Sequence, residues 1–165
     1  MPLHLSVLAD GDVIEPDRFR EALAYWASGV AVVGVREEGR VLATTVTGLL
    51  SVAVEPPLVL VSLGPTAQVL PFLVPDRQFA ISLLEEGQGR LASIYADVYP
   101  AGAPPFPSGG LPWVDGALVK LACHVDRVDS AADHHLILAL VDDAELGEGR
   151  PLVRYLRAYR ALDAD

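Results

Sequence analysis

The chain contains a single cysteine, Cys123, a single lysine, Lys120, and no asparagine. One thiol excludes an internal disulfide, and this usage fits a reducing cytoplasm, the expected location. Positive charge is scarce: 12 Lys and Arg stand against 22 Asp and Glu, for a net charge of −10. A field of that sign repels polyanions and argues against nucleic acid as a partner. No apolar run approaches the ~20 residues that a membrane-crossing helix needs, so no membrane partner is expected. The opening segment MPLHLSVLADGD has no basic start followed by a long apolar stretch, and is not expected to be a secretory signal. Also missing are GxGxxG after a strand, GxxxxGK followed by Ser or Thr, HExxH and GxSxG. These absences exclude a Rossmann or phosphate-loop nucleotide site, a zincin helix and a nucleophile elbow.

What remains is 165 residues, 52% hydrophobic and 21% charged, without internal repeats. A chain of this size buries roughly 70% of its unfolded surface and needs neither disulfide nor structural metal, so residues 1–165 are expected to form one domain. A helix is predicted from Pro16 to Ala27, with Pro16 at its first turn and Phe19, Leu23 and Trp26 on one face. Phe19 and Trp26 are expected to pack onto the core, and Gly29 to follow the helix end. Short apolar runs then predict strands at Val30–Val35, Val41–Thr47, Leu58–Leu63, Phe79–Leu84, Ala117–Val128 and Leu136–Val141, with a hairpin turn at Glu37–Gly39. Short helices are expected near Thr66–Leu73 and Gln88–Ala96. The stretch Tyr99–Pro112, with five prolines and three glycines, is expected to be a lid or surface excursion rather than a linker. The gaps between strands are too uneven for a doubly wound sheet, which favours a closed or nearly closed barrel with flanking helices.

Two segments carry candidate chemistry. In ATTVTGLLSVAVEPP, Ala43–Pro57, hydroxyls and a glycine offer donors and close backbone approach to a ligand, but the same Thr content suits an ordinary strand. Cys123, His124, Asp133, His134 and His135 form the one dense set of potential metal ligands. Adjacent strand residues point to opposite faces, so neighbours such as Cys123 and His124 cannot easily grip one ion, and no metal is assigned.

Six blocks in order resemble the flavin reductase family with the FMN-binding split-barrel fold. FREALAYWASGVAVV (Phe19–Val33) is similar to that family's first helix and strand. ATTVTGLLSVAVEPPLVLVSL (Ala43–Leu63) resembles its Gly-Met-Thr-x-Ser-Ser-Phe segment running into Ser-Leu-Asp-Pro-Pro. FAISLLEEGQ (Phe79–Gln88) resembles Phe-x-Val-Asn-Val-Leu-x-x-x-Gln, and LPWVDGALVKLAC (Leu111–Cys123) resembles Pro-x-Leu-x-Gly-Ala ending in Cys. ADHHLILALV (Ala132–Val141) resembles Gly-Asp-His before a strand, and PLVRYLRAYR (Pro151–Arg160) the closing Pro-Leu-x-Tyr-x-x-x-Tyr. Ala43-Thr44, Gly48, Leu49, Ser82 and Ala132 depart from the family pattern, which bears on flavin preference more than on the fold.

The resemblance implies a mainly β, Greek-key split β-barrel with a few short flanking helices. It implies an NAD(P)H-dependent flavin reductase: an oxidoreductase moving hydride from NADH or NADPH to FMN, with FAD the alternative, and passing reduced flavin to a flavin-dependent monooxygenase. A homodimer is expected with it. Thr45, Val46, Thr47 and Gly48 would line the flavin ring and ribityl chain, and Ser62 and Thr66 would lie near the ribityl and phosphate. Arg77, Arg90 and Arg157 are candidates for the phosphate, with Arg90 preferred because it follows the family-like Gln88. His134 would orient the nicotinamide at the open flavin face; without the resemblance, Asp133–His134 is simply a polar turn before a strand. Tyr159 is assigned next to the flavin, Trp113 is a candidate cap for the nicotinamide, and His135 is structural. The rival readings are a non-catalytic flavin-binding electron carrier of the same fold and a metal hydrolase built on the histidines.

Overall fold

A computed structural model describes residues 13–97, 102–103 and 105–162. The opening segment 1–12 and residues 98–101 and 104 of the Pro-rich stretch lie outside the described residues. The elements in order are α1 (Pro16–Leu23), β1 (Ser28–Gly29), β2 (Ala31–Glu37), β3 (Arg40–Val46), β4 (Leu49–Ala53), β5 (Leu58–Leu63), β6 (Gln78–Leu83), α2 (Gly89–Tyr95), β7 (Val119–Ala131), β8 (His134–Leu146), β9 (Val153–Tyr155) and β10 (Ala158–Arg160). Every strand pairing is antiparallel.

Seven strands form one sheet in the order β3-β2-β6-β7-β8-β5-β4, and β1-β9-β10 form a small second one. β6, β7 and β8 are successive neighbours and β5 returns beside β8, which is a Greek key. The sheet leaves β3 and β4 as its two edges, yet these are consecutive in the chain and joined by Thr47-Gly48. Ser62 N of β5 donates to Gly48 O at 2.8 Å, which extends the β4–β5 pairing up to the turn that joins the two edges. The open arrangement is the split barrel that the family resemblance implies, rather than a closed one.

Alternation explains the core. Val33, Val35, Val46, Val61, Phe79, Ile81, Val125 and Ile137 turn one face of their strands into the barrel. The opposite face of β2 is also buried: Val30 and Val32 pack with Leu84, Ala92, Tyr95, Val114 and Leu152, where α2 and the segment after the Pro-rich loop cover the barrel wall. Two-sided burial is why β2 reads as an unbroken apolar run. Ser82, buried in β6, accepts a hydrogen bond from Val114 N at 2.9 Å and pins the covering segment. The hairpin expected at Glu37–Gly39 forms, with Glu37 paired to Arg40 and only Glu38 and Gly39, both at positive φ, in the loop.

Some expectations need correction. α1 stops at Leu23 and buries no residue; Phe19 is 55% and Trp26 75% exposed, because the helix stands beside β4 outside a barrel already filled by its own strands. Strands β1, β4, β9 and β10 were not predicted as separate elements, and β7 and β8 run longer than expected, joined by a tight turn at Ala132-Asp133. Trp113 packs toward β7, its indole Nε1 donating to Leu121 O at 3.2 Å. The described part of the Pro-rich loop is held against the protein: Phe106 packs at a tilt on Tyr95, and Arg36 donates to the carbonyls of Pro107 and Gly110. Among the described residues no helix is long and apolar enough to cross a membrane.

Candidate functional site

The corner where the edges meet opens into a groove of about 390 Å³. Its walls are residues 43–48 of β3 and the following turn, Ser62–Gly64 at the end of β5, Thr66–Gln68 beyond it, Ala96 and Asp97 after α2, and His134 at the start of β8. Of the residues predicted from sequence, Thr45, Val46, Thr47, Gly48, Ser62, Thr66 and His134 are therefore brought together. Topology does this: the β5–β8 register sets Leu63 opposite His135, which brings His134 alongside Gly64. A Cβ on Gly64 would stand 3.7 Å from His134 Nε2, so the glycine keeps the space beside the imidazole clear. At Gly48 a Cβ would lie 3.1 Å from Ser62 Cβ, and the missing side chain lets the β3–β4 turn lie close against β5.

The residues differ in what they can offer. The Thr45 hydroxyl donates to Ala92 O at 2.8 Å, so it ties β3 to α2 rather than facing a ligand. Val46 is buried and presents only its backbone edge. Thr47, Gly48 and Thr66 are exposed, and Ser62 is half-buried. His134 Nδ1 lies 2.8 Å from Asp133 Oδ1. An ionised carboxylate only accepts, so Nδ1 carries the proton, which leaves Nε2 as an acceptor whenever the ring is neutral. The hydrogen bond from His134, and the charge of that ring, hold the Asp133 carboxyl below its usual range.

Two predicted residues fall outside. Arg90 is exposed in the first turn of α2, about 10 Å along the helix from Asp97 at 1.5 Å per residue. Tyr159 packs on the outer core cluster beneath the Arg154 guanidinium, 4.8 Å from its ring centre, and burial raises its phenol pKa. The other arginine candidates lie elsewhere too. Arg77 pairs with Glu37 at 2.6 Å on the far side of the β2–β3 hairpin, and Arg157 sits in the β9–β10 turn. Gly64, Gln68, Ala96 and Asp97 line the groove without having been singled out; Gly64-Pro65 after a strand was a turn signal that could have marked the first.

The potential metal ligands are dispersed. Cys123 is fully buried in the barrel, its thiol pushed up to about 12 by burial and by the charge of Asp142. His124 Nδ1 lies 2.6 Å from Asp142 Oδ1, and among the described residues no three His, Cys, Asp or Glu gather to hold an ion. Beyond the Thr47-Gly48 rim lies a second hollow of about 680 Å³, which shares Thr47, Gly48 and Ser62 with the groove. Phe19, Leu23, Trp26, Leu50, Leu60 and Tyr155 make most of its apolar lining.

A flat groove with hydroxyls, close backbone and one open side fits a planar ring with a polar edge and a hydroxylated tail. The family model described as a flavin reductase like domain matches residues 23–163. The reductase component of 4-hydroxyphenylacetate 3-monooxygenase from Thermus thermophilus is 38% identical over 151 residues, covering 88% of this chain and 96% of that protein. An NADH-dependent flavin reductase from Rhodococcus sp is 33% identical over 91% of this chain and 88% of its own length. Among solved structures, flavin reductase PheA2 superimposes with a TM-score of 0.82 at 29% identity, over 92% of this chain and 100% of that one. The NADH:FAD oxidoreductase SgcE6 of Streptomyces globisporus C-1027, in complex with NAD and FAD fragments, gives a TM-score of 0.83 at 27% identity, over 93% and 98%.

Proposed function

The chain belongs to the flavin reductase family, and from that premise we propose that it is an NADH-dependent flavin reductase, with FMN as its working flavin, that supplies reduced flavin to a flavin-dependent monooxygenase. Relatives named as NADH-dependent flavin and FMN reductases support the donor and the acceptor. Relatives named as reductase components of monooxygenases support the destination. NADH and a partner of this kind suit the cytoplasm, and residues 1–165 are taken as one catalytic unit.

The observation that carries the reading is the groove itself: seven side chains or backbone edges assigned from sequence converge at one corner, with His134 at its rim. Bound flavin supplies the two-electron acceptor there, and the visiting nicotinamide supplies hydride. Transfer needs the donor and acceptor carbons held at roughly 3–3.5 Å and no side-chain acid, so the work of the protein is placement. In this reading Thr47, Gly48, Ser62 and Thr66 hold the ring edge and tail through backbone amides and hydroxyls. His134, its tautomer fixed by Asp133, presents Nε2 to orient the nicotinamide carboxamide. Thr45 acts by positioning the opposite wall.

The protein works as a homodimer in this proposal. Trp26 at 75% and Leu50 at 58% exposure, with Phe19, form an apolar face that borders the groove. Such a face marks an interface, and a two-fold pair is the commonest way to cover it. The decisive assay is steady-state NADH oxidation with FMN. Turnover well above the uncatalysed rate is expected, and its absence with NADH and NADPH alike leaves only a flavin carrier. His134→Ala should retain flavin and lose most NADH turnover; unchanged turnover removes His134 from the reaction.

A further inference from the structure

The guanidinium of Arg36, near the end of β2, is directed at carbonyls. Nη2 donates to Pro107 O at 2.7 Å and to Gly109 O at 3.4 Å, and Nε to Gly110 O at 3.0 Å. Among the described residues no carboxylate pairs with it. Carbonyls from one short run can converge on a single cation only where the chain curls tightly, and Gly109 and Gly110, both at positive φ, supply the curl. Arg77 Nη2 donates to Arg36 O and to Glu37, which steadies the backbone from which the Arg36 side chain extends. On one side of the curl the segment is fixed where Pro112 meets Gly34 and where Val114 N is bonded to Ser82. On the other side stands Phe106, its ring centre 5.4 Å from that of the buried Tyr95. Tyr95 is the last residue of α2, and the two that follow, Ala96 and Asp97, line the groove.

Resting on the flavin reductase reading for what the groove binds, we infer that Arg36 is a positioning residue of the groove: by clasping residues 107–110 it seats Phe106 on Tyr95 and so holds the wall at Ala96 and Asp97 in place. A helix of seven residues is too short to persist by its own hydrogen bonds, so packing decides where its end lies. Thr45 ties α2 down at Ala92, and Phe106 covers the last turn from outside the barrel. Bonds from an ionised donor are stronger than neutral ones, and the planar fork of arginine serves several carbonyls at once. Without the clasp, Phe106 loses its anchor on that side, and the end of α2 loses its cover. The wall then loosens. Arg36 touches no residue that lines the groove through a printed bond, so its loss weakens binding and leaves the hydride step at saturation as it was.

The test is Arg36→Met in the full chain, read by FMN titration, by NADH turnover and by amide hydrogen exchange over residues 89–97. The FMN dissociation constant should rise about threefold to tenfold, with faster exchange at 92–97. At saturating FMN, kcat should stay within about twofold of the unchanged protein. Arg36→Lys, which keeps the charge but not the fork, should restore part of the affinity. Gly110→Ala keeps Arg36 but strains the curl, and should shift FMN affinity and exchange in the same direction as Arg36→Met. In a Phe106→Ala background, Arg36→Met should change FMN affinity by less than about twofold, because the link it acts through is already gone. Fully additive losses, or unchanged exchange at 92–97, overturn the inference and leave the reductase reading standing. If the unchanged protein binds no FMN, the reductase reading falls, while exchange at 92–97 in the same variants still decides the role of Arg36.

Discussion

The Thr45 hydroxyl donates to the carbonyl of Ala92 at 2.8 Å, and this bond joins the floor of the groove to the helix whose end forms the opposite wall. α2 runs only from Gly89 to Tyr95, so one fixed point near its centre sets the position of Ala96 and Asp97. Thr45→Val keeps the shape and removes the donor while Ala92 O retains its helical bond from Ala96 N, at a cost of about 0.5–1.5 kcal/mol. The expected result is a lower melting temperature and a flavin dissociation constant raised several-fold, with kcat little changed once flavin saturates. Thr45→Ser should restore most of both. A kcat loss at saturation would show that Thr45 touches the reacting partners instead.

How much of this could be read in the sequence follows from what each residue reports. The β2–β3 hairpin was legible because Glu38-Gly39 is turn chemistry between two apolar runs. The Thr45–Gly48 corner was found by type of residue and by resemblance. The direction of the Thr45 hydroxyl was not, because it depends on Ala92, 47 positions away. β4 is hard to read from sequence because Leu50 and Val52 are apolar yet exposed, which masks the alternation that marks a strand. The same fact misled the reading of Phe19 and Trp26: periodicity reveals an apolar face but not whether the chain's own core covers it. Arg90 stands at the start of α2 whereas the groove takes Ala96 and Asp97 beyond its other end, and order along the chain does not say which terminus meets a groove.

Gly34 lies where the Pro-rich loop rejoins the barrel, and a Cβ there would stand 2.9 Å from Pro112 O and 3.1 Å from Pro112 Cγ. Backbone and a proline ring cannot swing aside as a flexible side chain can. Gly34→Ala should therefore cost about 1–3 kcal/mol, or roughly 3–10 °C in Tm, by overpacking. Gly29→Ala, with nothing within 4 Å, is the control and should be close to neutral. Equal Tm values for the two variants in a calorimetric scan would contradict the close loop contact.

Cys123 is held protonated, its pKa raised to about 12 from 9.0. At pH 8 only about one thiol in ten thousand is ionised, and burial removes access besides, so thiol reagents should label it only after unfolding. The sign of the pH effect follows. A raised native pKa contributes stability that is intact below the unfolded value and is lost as pH climbs from 9.0 toward 12. Tyr95 and Tyr159, also raised by burial, act in the same direction at higher pH. Tm should hold steady from pH 7 to 9 and fall steeply above; Cys123→Ala should soften the first part of that fall.

The apolar face gives a prediction about assembly. Trp26 and Leu50 sit on different elements, α1 and β4, yet line the same hollow. Replacing either by Asp would put a charge in the proposed interface while touching no described core position. Sedimentation should show a dimer for the unchanged protein and a shift toward monomer for Leu50→Asp, with far-UV circular dichroism preserved. A monomer at all concentrations for the unchanged protein would refute the proposed assembly and leave this face to some other partner.

Asp133 and His134 are the last pair whose roles separate cleanly. Asp133 sits at the β7–β8 turn and is fully solvated, so its value lies in orientation rather than in stability. Its carboxyl is held below the usual range, which means that the bond to Nδ1 persists as pH falls and breaks only below the ordinary carboxylate range, near pH 4. Asp133→Asn can accept or donate at Nδ1 and so no longer fixes the tautomer. With His134 still present, NADH-dependent kcat/KM should drop about threefold to tenfold while flavin affinity stays the same. In the unchanged protein the dependence of kcat/KM on pH should show no step from this carboxylate between pH 8 and pH 5. If Asp133→Asn matches the unchanged protein in rate and pH profile, the imidazole is oriented by the nicotinamide itself and not by its neighbour.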